Sequence, residues 1–149
     1  MSYELSDAIK RALGLRDPEP KMKAMKIVYI AHPLGSGPDR EVNRASAAKW
    51  VAWAASKGVA PVADWIILSG QWEESPHLRA IGLAIDVALV KRCDEIWLCG
   101  KRISDGMRIE LEAAKAEGLT VRDFTGLRES EHVDFGDPPG PDFMLLDVG

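Results

Sequence analysis

Hydrophobic and polar positions along this chain follow two patterns, one typical of strands and one typical of helices. Each change from one pattern to the other marks a new secondary-structure element. The run KIVYIA (26–31) is too short for a helix and is rich in β-branched and aromatic residues, which predicts a strand in the centre of a sheet. Three more runs, 59–63, 95–99 and 119–124, predict further strands. Pro61 favours an edge position for the second strand, because proline cannot donate a ladder hydrogen bond.

Helical periodicity fills the intervals between these strands. The first crossover helix is predicted to begin at Pro38 and to end at Gly58, since proline suits a first helical position and glycine suits the residue after a helix. Ser75 and Pro76 open the helix of HLRAIGLAIDVALVKRC, and 105–117 makes the last helix. Strand and helix alternating in this way predict parallel strands joined by right-handed crossovers.

The predicted fold class is therefore α/β: a Rossmann- or flavodoxin-like, doubly wound parallel sheet of four to five strands in a single domain, residues 26–124. A short amphipathic helix and a linker precede it in residues 1–25. An irregular acidic tail, 125–149, follows it, and within that tail 143–148 is the candidate for a fifth strand. The aromatic stretch 64–74 is predicted to be irregular.

Composition narrows the class of protein. The chain has 149 residues, of which 46% are hydrophobic and 28% charged, with a net charge of -4. This composition lacks the excess of basic residues that is typical of a protein that binds a nucleic acid polymer. No apolar run approaches the ~20 residues of a membrane span, and no signal peptide is visible, so we expect a cytoplasmic protein without a membrane partner. Cys93 and Cys99 are interpreted as reduced core residues, since no His or Cys lies at zinc spacing; no metal is expected.

Glu110 and Asp86 are the candidates for chemistry, because open parallel sheets bind ligands beyond the carboxyl ends of their strands. Glu110 lies near the start of a helix, where the macrodipole would lower its pKa and suit a nucleophile; alternatively it only complements the dipole. Asp86 lies in AIGLAIDVALV, with apolar neighbours on every side. It either pairs with Arg79 or Arg108 or caps a neighbouring loop, or it has a raised pKa suited to proton transfer.

The loop after the first strand offers candidates for anion binding. Glycine backbone at a helix start together with arginine can hold a phosphate or carboxylate, although these glycines do not match a P-loop and a plain turn is the alternative. The candidate residues of this loop and helix are Gly35, Ser36, Gly37, Arg40 and Arg44.

Two aromatic side chains complete the predicted pocket. His32 has no partner pattern for a metal or a catalytic triad and is predicted only to form part of the pocket wall. Trp65 could stack on a purine or pyrimidine, or belong to the core. The tryptophans at 50, 53 and 97 fit core positions better.

The chain resembles the nucleoside 2-deoxyribosyltransferase superfamily, which includes the 2′-deoxynucleoside 5′-phosphate N-hydrolases, over roughly residues 26–122. The resemblance rests on the strand IVYIA with its tyrosine, on the aspartate-bearing helix before ALVKRCDEIWLCG, and on SDGMRIELEAA, which looks like the Ser-x-Gly-x-x-x-Glu segment of that superfamily. The loop HPLG departs from the Gly-Ser that members often have after the first strand.

This resemblance implies a role for each matching residue. Glu110 would attack the anomeric carbon, Asp86 would assist departure of the base, and Tyr29 would hold the Glu110 carboxylate in line. Ser104 and Gly106 would line the sugar or phosphate site. The resemblance implies no metal or organic cofactor, and it implies a homodimer or larger homo-oligomer, because neighbouring subunits often complete the pocket in this superfamily.

The first functional hypothesis is therefore an enzyme that cleaves the N-glycosidic bond of a (deoxy)nucleoside 5′-monophosphate or a deoxynucleoside through a covalent glycosyl-glutamate intermediate. A nucleoside 2-deoxyribosyltransferase, which exchanges bases, is the near alternative. A non-catalytic nucleotide-binding or sensing module is the alternative from another class, because fold does not determine function. Two carboxyl groups that face one cavity near Tyr29 would favour catalysis, whereas separate pairing with arginines would oppose it.

Overall fold

The computed structural model describes residues 6–15 and 24–127. Within these residues the chain forms five helices and four strands. In chain order they are α1 (Asp7–Ala12), β1 (Ile27–Ala31), α2 (Pro38–Ser56), β2 (Ala60–Val62), α3 (Trp65–Gln71), α4 (Pro76–Val90), β3 (Glu95–Leu98), α5 (Asp105–Ala116) and β4 (Thr120–Asp123). The predicted strand at 143–148 lies outside the described residues.

All four strands are parallel, in the order β2-β1-β3-β4, so the predicted α/β class is confirmed, with β1 inside the sheet and β2 at its edge. The chain runs from β1 to one side, into β2, and then crosses back to β3 on the other side. The order therefore reverses between β1 and β3, and the loops that follow these two strands diverge there. Such a reversal opens a crevice at the carboxyl ends of the strands.

Helices cover both faces of the sheet, because alternate side chains of each strand point to opposite faces. Val28 and Ile30 of β1 pack in one cluster with Trp50 and Trp53 of α2 and with Trp97 of β3, as predicted for the three tryptophans. The other face holds residues of β1 and β3 together with side chains of α4 and α5. That second cluster includes Tyr29, Ala31, Ile96, Leu98, Val90, Met107 and Ala114.

The prediction that 64–74 is irregular is wrong, because Trp65–Gln71 forms helix α3. Seven residues are too few for a helix to be stable by propensity alone. Contacts from distant parts of the chain hold it: the Trp65 indole donates to the carbonyl of Ile30 at 3.1 Å, and Arg44 donates two hydrogen bonds to the carbonyl of Ile66 at 3.0 and 2.8 Å. These contacts join residues that are far apart in sequence, so the local pattern of residues 64–74 cannot predict them.

The predicted helix boundaries agree with the structure in most places. Gly58 has φ of 91°, as expected of a glycine that ends a helix, and the Ser75 hydroxyl accepts from the Leu78 amide at 3.1 Å. Helix α4, however, ends at Val90, before the predicted Cys93. The helix ends there because the Asp94 amide donates a hydrogen bond to the Ile27 carbonyl of β1 at 2.8 Å. The residues that follow Val90 therefore lead into the sheet.

Two further observations concern the chain as a whole. Cys93 and Cys99 are buried and form no disulfide, in line with their interpretation as core thiols. In the described part of the chain, no helix combines the length and the apolar character that crossing a bilayer requires.

Candidate active site

A cavity opens at the carboxyl edge of the sheet, between the loop after β1, helices α3 and α4, and the start of α5. Its polar lining includes Asp86 and Glu110, which the chain places 24 positions apart. One wall is apolar, and its side chains are Leu34, Trp65, Leu68, Trp72, Leu78 and Leu83. A cavity with an apolar wall and a few convergent polar groups is the usual form of a small-molecule site.

Asp86 of α4 and Glu110 of α5 line this cavity, and Tyr29 of β1 lies buried behind Glu110. The Tyr29 hydroxyl donates a hydrogen bond to Oε2 of Glu110. The Asp86 carboxyl lies close enough to both of the other groups for its charge to raise the pKa of each. Asp86 is 6% exposed and Glu110 5% exposed, so both residues are buried although both line the cavity.

The structural alternative to a chemical role for Asp86 was an ion pair with an arginine. Among the described residues Asp86 forms no ion pair with Arg79 or Arg108, and its Oδ1 atom is buried without a hydrogen-bond partner. Burying such an oxygen is unfavourable unless the group is protonated or a ligand supplies a partner. Asp86 and Glu110 therefore line one cavity and are not paired separately with arginines among the described residues, which is the arrangement that would favour catalysis.

The prediction that the helix dipole lowers the pKa of Glu110 is wrong. Burial raises the pKa of Glu110 to about 8, and the Asp86 charge adds to this rise, while the Tyr29 hydrogen bond opposes it. Glu110 is the sixth residue of α5, beyond the first turn in which the dipole acts. The predicted rise for Asp86 is confirmed: burial first, and then the charge of Asp64, raise its pKa to about 7.

Asp64 is a third carboxyl whose charge raises the pKa of Asp86, and sequence reasoning missed it. It follows β2, and both of its side-chain oxygens are buried without a hydrogen-bond partner among the described residues. Burial raises the pKa of Asp64, and the backbone amides of Asp64 and Trp65 partly oppose that rise. A polar residue directly after a strand of a parallel sheet was the available signal, because that edge is where sites form.

The first turn of α5 forms another part of the cavity wall. The Ser104 hydroxyl accepts from the Met107 amide at 3.3 Å, and both Ser104 and Gly106 line the cavity as predicted. A Cβ atom on Gly106 would lie 3.6 Å from Nη2 of Arg79, so the Arg79 guanidinium lies over this turn. Arg79 also lines the cavity. It is a second residue whose position in the site the sequence did not predict.

The loop after β1 contributes less than predicted. Arg40 lines the cavity and donates to the carbonyl of Ser69 at 3.0 Å. The predicted Gly35, Ser36 and Gly37 lie outside the cavity lining, and the Gly37 amide donates to Glu74 at 3.4 Å. Arg44 is likewise not at the cavity, because its guanidinium binds the Ile66 carbonyl and the Glu41 carboxylate.

His32 lines the cavity, as predicted, and Trp65 beside it is 8% exposed and belongs to a core cluster while also lining the cavity. The His32 ring nitrogens lie 2.7 Å from the Pro33 carbonyl oxygen and 2.9 Å from the Ser46 hydroxyl, and the ring stacks on Trp65 with centroids 6.4 Å apart. Gly100 makes this packing possible, because it has φ of 92° and a Cβ atom there would lie 2.9 Å from Cδ2 of His32.

Comparison with known proteins adds one family. Residues 26–124, about two thirds of the chain, match the family described as "Domain of unknown function (DUF7768)". No curated protein matches the sequence. Among the described residues, no group of three or more His, Cys, Asp or Glu side chains is arranged to hold a metal ion.

Proposed function

We propose that this chain, which belongs to the DUF7768 family, cleaves the N-glycosidic bond of a (deoxy)nucleoside 5′-monophosphate or a deoxynucleoside through a covalent glycosyl intermediate on Glu110. One observation carries this proposal. Two buried carboxyl groups, Asp86 and Glu110, share one cavity, and Tyr29 donates a hydrogen bond to one of them. A nucleophile and an acid of this kind are what retaining cleavage of a glycosidic bond requires.

The first chemical step follows from the two roles. An ionised oxygen of Glu110 forms a bond to the anomeric carbon of the sugar while the bond from that carbon to the base nitrogen breaks. The electron pair of the broken bond stays on the base, which takes the proton of Asp86. Water then attacks the anomeric carbon, Asp86 accepts a proton from it, and Glu110 leaves as a carboxylate.

The state that reacts has one proton on the carboxyl pair. Asp86 and Glu110 are buried at one cavity, and burial raises the pKa of both, so the pair retains a proton near neutral pH. The Tyr29 hydroxyl, by donating to Glu110, favours the charge on Glu110, whereas burial and the Asp86 charge raise the pKa of Glu110 to about 8, above the pKa of about 7 for Asp86. The proposed reaction draws on the fraction of the pair in which Asp86 carries the proton and Glu110 is ionised.

The lining of the cavity supports a nucleotide as the substrate. Its apolar wall, with Trp65 and Trp72, suits a planar base. Arg79 over the first turn of α5, together with Ser104 and Arg40, supplies donors for a phosphate. A transferase would use the same first step and would differ in admitting a second base, in place of water, to the glycosyl intermediate.

Chromatographic detection of released base tests the proposal. The protein is incubated with a panel of nucleosides and 5′-monophosphates, with and without an acceptor base. We expect free base from the native chain and none from Glu110→Ala, while Glu112→Ala, an exposed glutamate on the same helix, keeps full activity. A new nucleoside that forms only with acceptor would identify a transferase. Binding without turnover of any compound would identify a sensing module and refute the enzyme.

A further inference from the structure

The loop between α3 and α4, residues 72–75, lines the cavity along its whole length. Three of its four residues have contacts that fix the loop. The Trp72 amide donates to a carbonyl of α3 at 2.9 Å, an oxygen of Glu74 accepts from the start of α2 at 3.4 Å, and the Ser75 hydroxyl caps α4. The backbone that carries Glu73 is therefore held from both sides.

Glu73 is the residue of this loop whose polar side chain has no such contact. Among the described residues it forms no hydrogen bond and no ion pair, although Arg40 and Arg79 line the same cavity. Arg40 instead donates to the Ser69 carbonyl at 3.0 Å. The Glu73 side chain is exposed, so its carboxylate is hydrated and keeps all of its acceptor capacity for a ligand that enters the cavity.

Glu73 lies at the end of the cavity away from the proposed reaction. It precedes α4 by three positions, whereas Asp86 is the eleventh residue of that helix. A helix rises 1.5 Å per residue, so the start of α4 and Asp86 are about 15 Å apart along the helix axis. The sugar of the substrate must lie at Asp86 and Glu110, because its anomeric carbon reacts there. A group that reaches Glu73 is therefore attached to the sugar and extends towards the start of α4.

Of the two groups that a nucleotide attaches to its sugar, the base suits this end of the cavity. The wall beside the loop is apolar and aromatic, with Leu34, Leu68 and Trp72, and Trp72 directly precedes Glu73. Such a wall covers a planar base. A phosphate group is negatively charged and is repelled by a carboxylate, so Glu73 disfavours a phosphate here.

A carboxylate discriminates between bases by the hydrogen atoms that the edge of the base presents. An ionised carboxylate can only accept hydrogen bonds, so an exocyclic amino group can donate to it, whereas a carbonyl oxygen in the same place cannot. We propose that Glu73 is a specificity-determining residue, which makes the cavity select bases that carry an exocyclic amino group over their carbonyl-bearing counterparts. This inference rests on the proposed glycosidase function and names the class of base that it takes.

Matched pairs of 5′-monophosphates test the inference. Deoxycytidine monophosphate carries an amino group where deoxyuridine monophosphate carries a carbonyl, and deoxyadenosine and deoxyinosine monophosphates differ in the same way. Calorimetry measures their binding in Glu110→Gln, which cannot form the glycosyl bond, so turnover does not interfere. We expect the amino member of at least one pair to bind about tenfold more tightly, the lower end for a hydrogen bond to a charged group, because Glu73 is exposed. Equal affinities within both pairs, or no binding by any of the four compounds, would overturn the inference.

Two changes at Glu73 distinguish selection from a structural role. In the same Glu110→Gln background, Glu73→Ala should lower the ratio of affinities to about one. Glu73→Lys should reverse the preference, since an ammonium group donates to the carbonyl of the other member. Glu112→Ala, at an exposed glutamate outside the cavity lining, is the matched control and should keep the native ratio.

The inference would be overturned by a ratio that persists in Glu73→Ala, or by an equal loss of affinity for both members of a pair. The second outcome would mean that Glu73 only supports the shape of the cavity. Because Glu73 is exposed and has no partner among the described residues, these variants should fold, which thermal unfolding checks.

The two proposals fail in different ways. If the chain binds amino-bearing bases selectively but releases no base from any compound, the glycosidase function fails and the selection belongs to a sensing module. If base is released with equal kcat/KM from both members of each pair, and Glu110→Ala abolishes the release, only the role of Glu73 fails.

Discussion

Buried carboxyl groups occur at both ends of the sheet, and their surroundings are opposite. At the amino end of β3, Glu95 is 3% exposed and accepts from Lys26 at 3.1 Å, from Arg122 at 2.8 Å and from the Trp97 indole at 2.9 Å. At the carboxyl end, Asp86 and Glu110 are buried as deeply, but no cation contacts either of them within the described residues.

The pKa values follow this difference. Burial alone would raise the pKa of Glu95, but the hydrogen bonds from Arg122, Trp97 and Lys26 outweigh burial and lower it to about 2. Burial dominates for Asp86 and Glu110, and their pKa values rise. A buried acid that is neutralised on every side contributes to stability, whereas one left without a cation retains a proton that it can transfer.

Among the changes that test this contrast, replacement of Glu110, the proposed nucleophile, should have the largest effect. Glu110→Gln should abolish base release, by about a thousandfold or more, because the glutamine amide cannot form the glycosyl bond. The same change should leave the melting temperature equal or higher, since it replaces an uncompensated acid by a neutral group. Chromatography and thermal unfolding measure the two effects, and a marked fall in the melting temperature would mean that Glu110 stabilises the fold.

Glu95→Gln should show the reverse pattern. We expect the free energy of unfolding to fall by about 1–3 kcal/mol, because hydrogen bonds to a charged group are lost while Lys26 and Arg122 remain half exposed and hydrated. Activity should stay within about twofold, since the site is at the other end of the sheet. Urea unfolding measures the loss, with Glu112→Gln as a surface control. If Glu95→Gln left the free energy of unfolding unchanged, the proposed contrast between a stabilising acid at one end of the sheet and reactive acids at the other would be refuted.

The pH dependence of stability should divide between the two ends. The lowered pKa of Glu95 contributes stability that is present above about pH 5 and is lost as the pH falls towards 2. The raised pKa values of Asp86 and Glu110 act in the opposite sense: their contribution is fully present below about pH 4, where the acids of the unfolded chain are protonated, and it is lost progressively as the pH rises to about 7 to 8.

Urea unfolding across pH measures both effects. Glu95→Gln should flatten the rise in stability below about pH 5 only, and Asp86→Asn should flatten only the fall in stability between about pH 4 and pH 7. A variant that flattened both sides would show that the two ends are coupled and that their carboxyl groups do not act independently.

The smallest effect is expected for Arg79→Gln. Arg79 lines the cavity and forms no ion pair among the described residues, so its loss should change stability by no more than about 0.5 kcal/mol and should leave the Asp86 titration in place. It should raise KM for a 5′-monophosphate by about tenfold and leave a nucleoside unaffected, since a charge-assisted phosphate contact is lost. A large change in the Asp86 titration would reveal Arg79 as its partner after all.

Much of the fold could be predicted from local pattern. Pro61 indicated the edge strand, Ser75 the helix start and Gly58 the helix end, and each of these signals acts within a few residues. Helix α3 was missed because its seven residues depend on Arg44 and on the burial of Trp65. Those contacts join parts of the chain that local pattern does not connect.

The candidate site could be predicted only in part. Asp86 was found because its neighbours in sequence are apolar, so that any helix around it must bury the carboxyl. Asp64 was missed because DWIIL contains no comparable local signal, and the pKa of Glu110 was given the wrong direction. The dipole of its own helix is a local effect, whereas the burial that outweighs it comes from the packing of β1, α4 and α5.

The sequence by itself determined the alternation of strands and helices, the α/β class and the burial of Asp86, because hydrophobic period and helix capping depend on neighbouring residues. Tertiary structure alone decided which of those acids meet cations. Lys26 and Glu95 are 69 positions apart, and Tyr29 and Glu110 are 81 apart. The interaction energy of two charged groups depends on the distance between them in space, and folding brings groups that are far apart in sequence into contact.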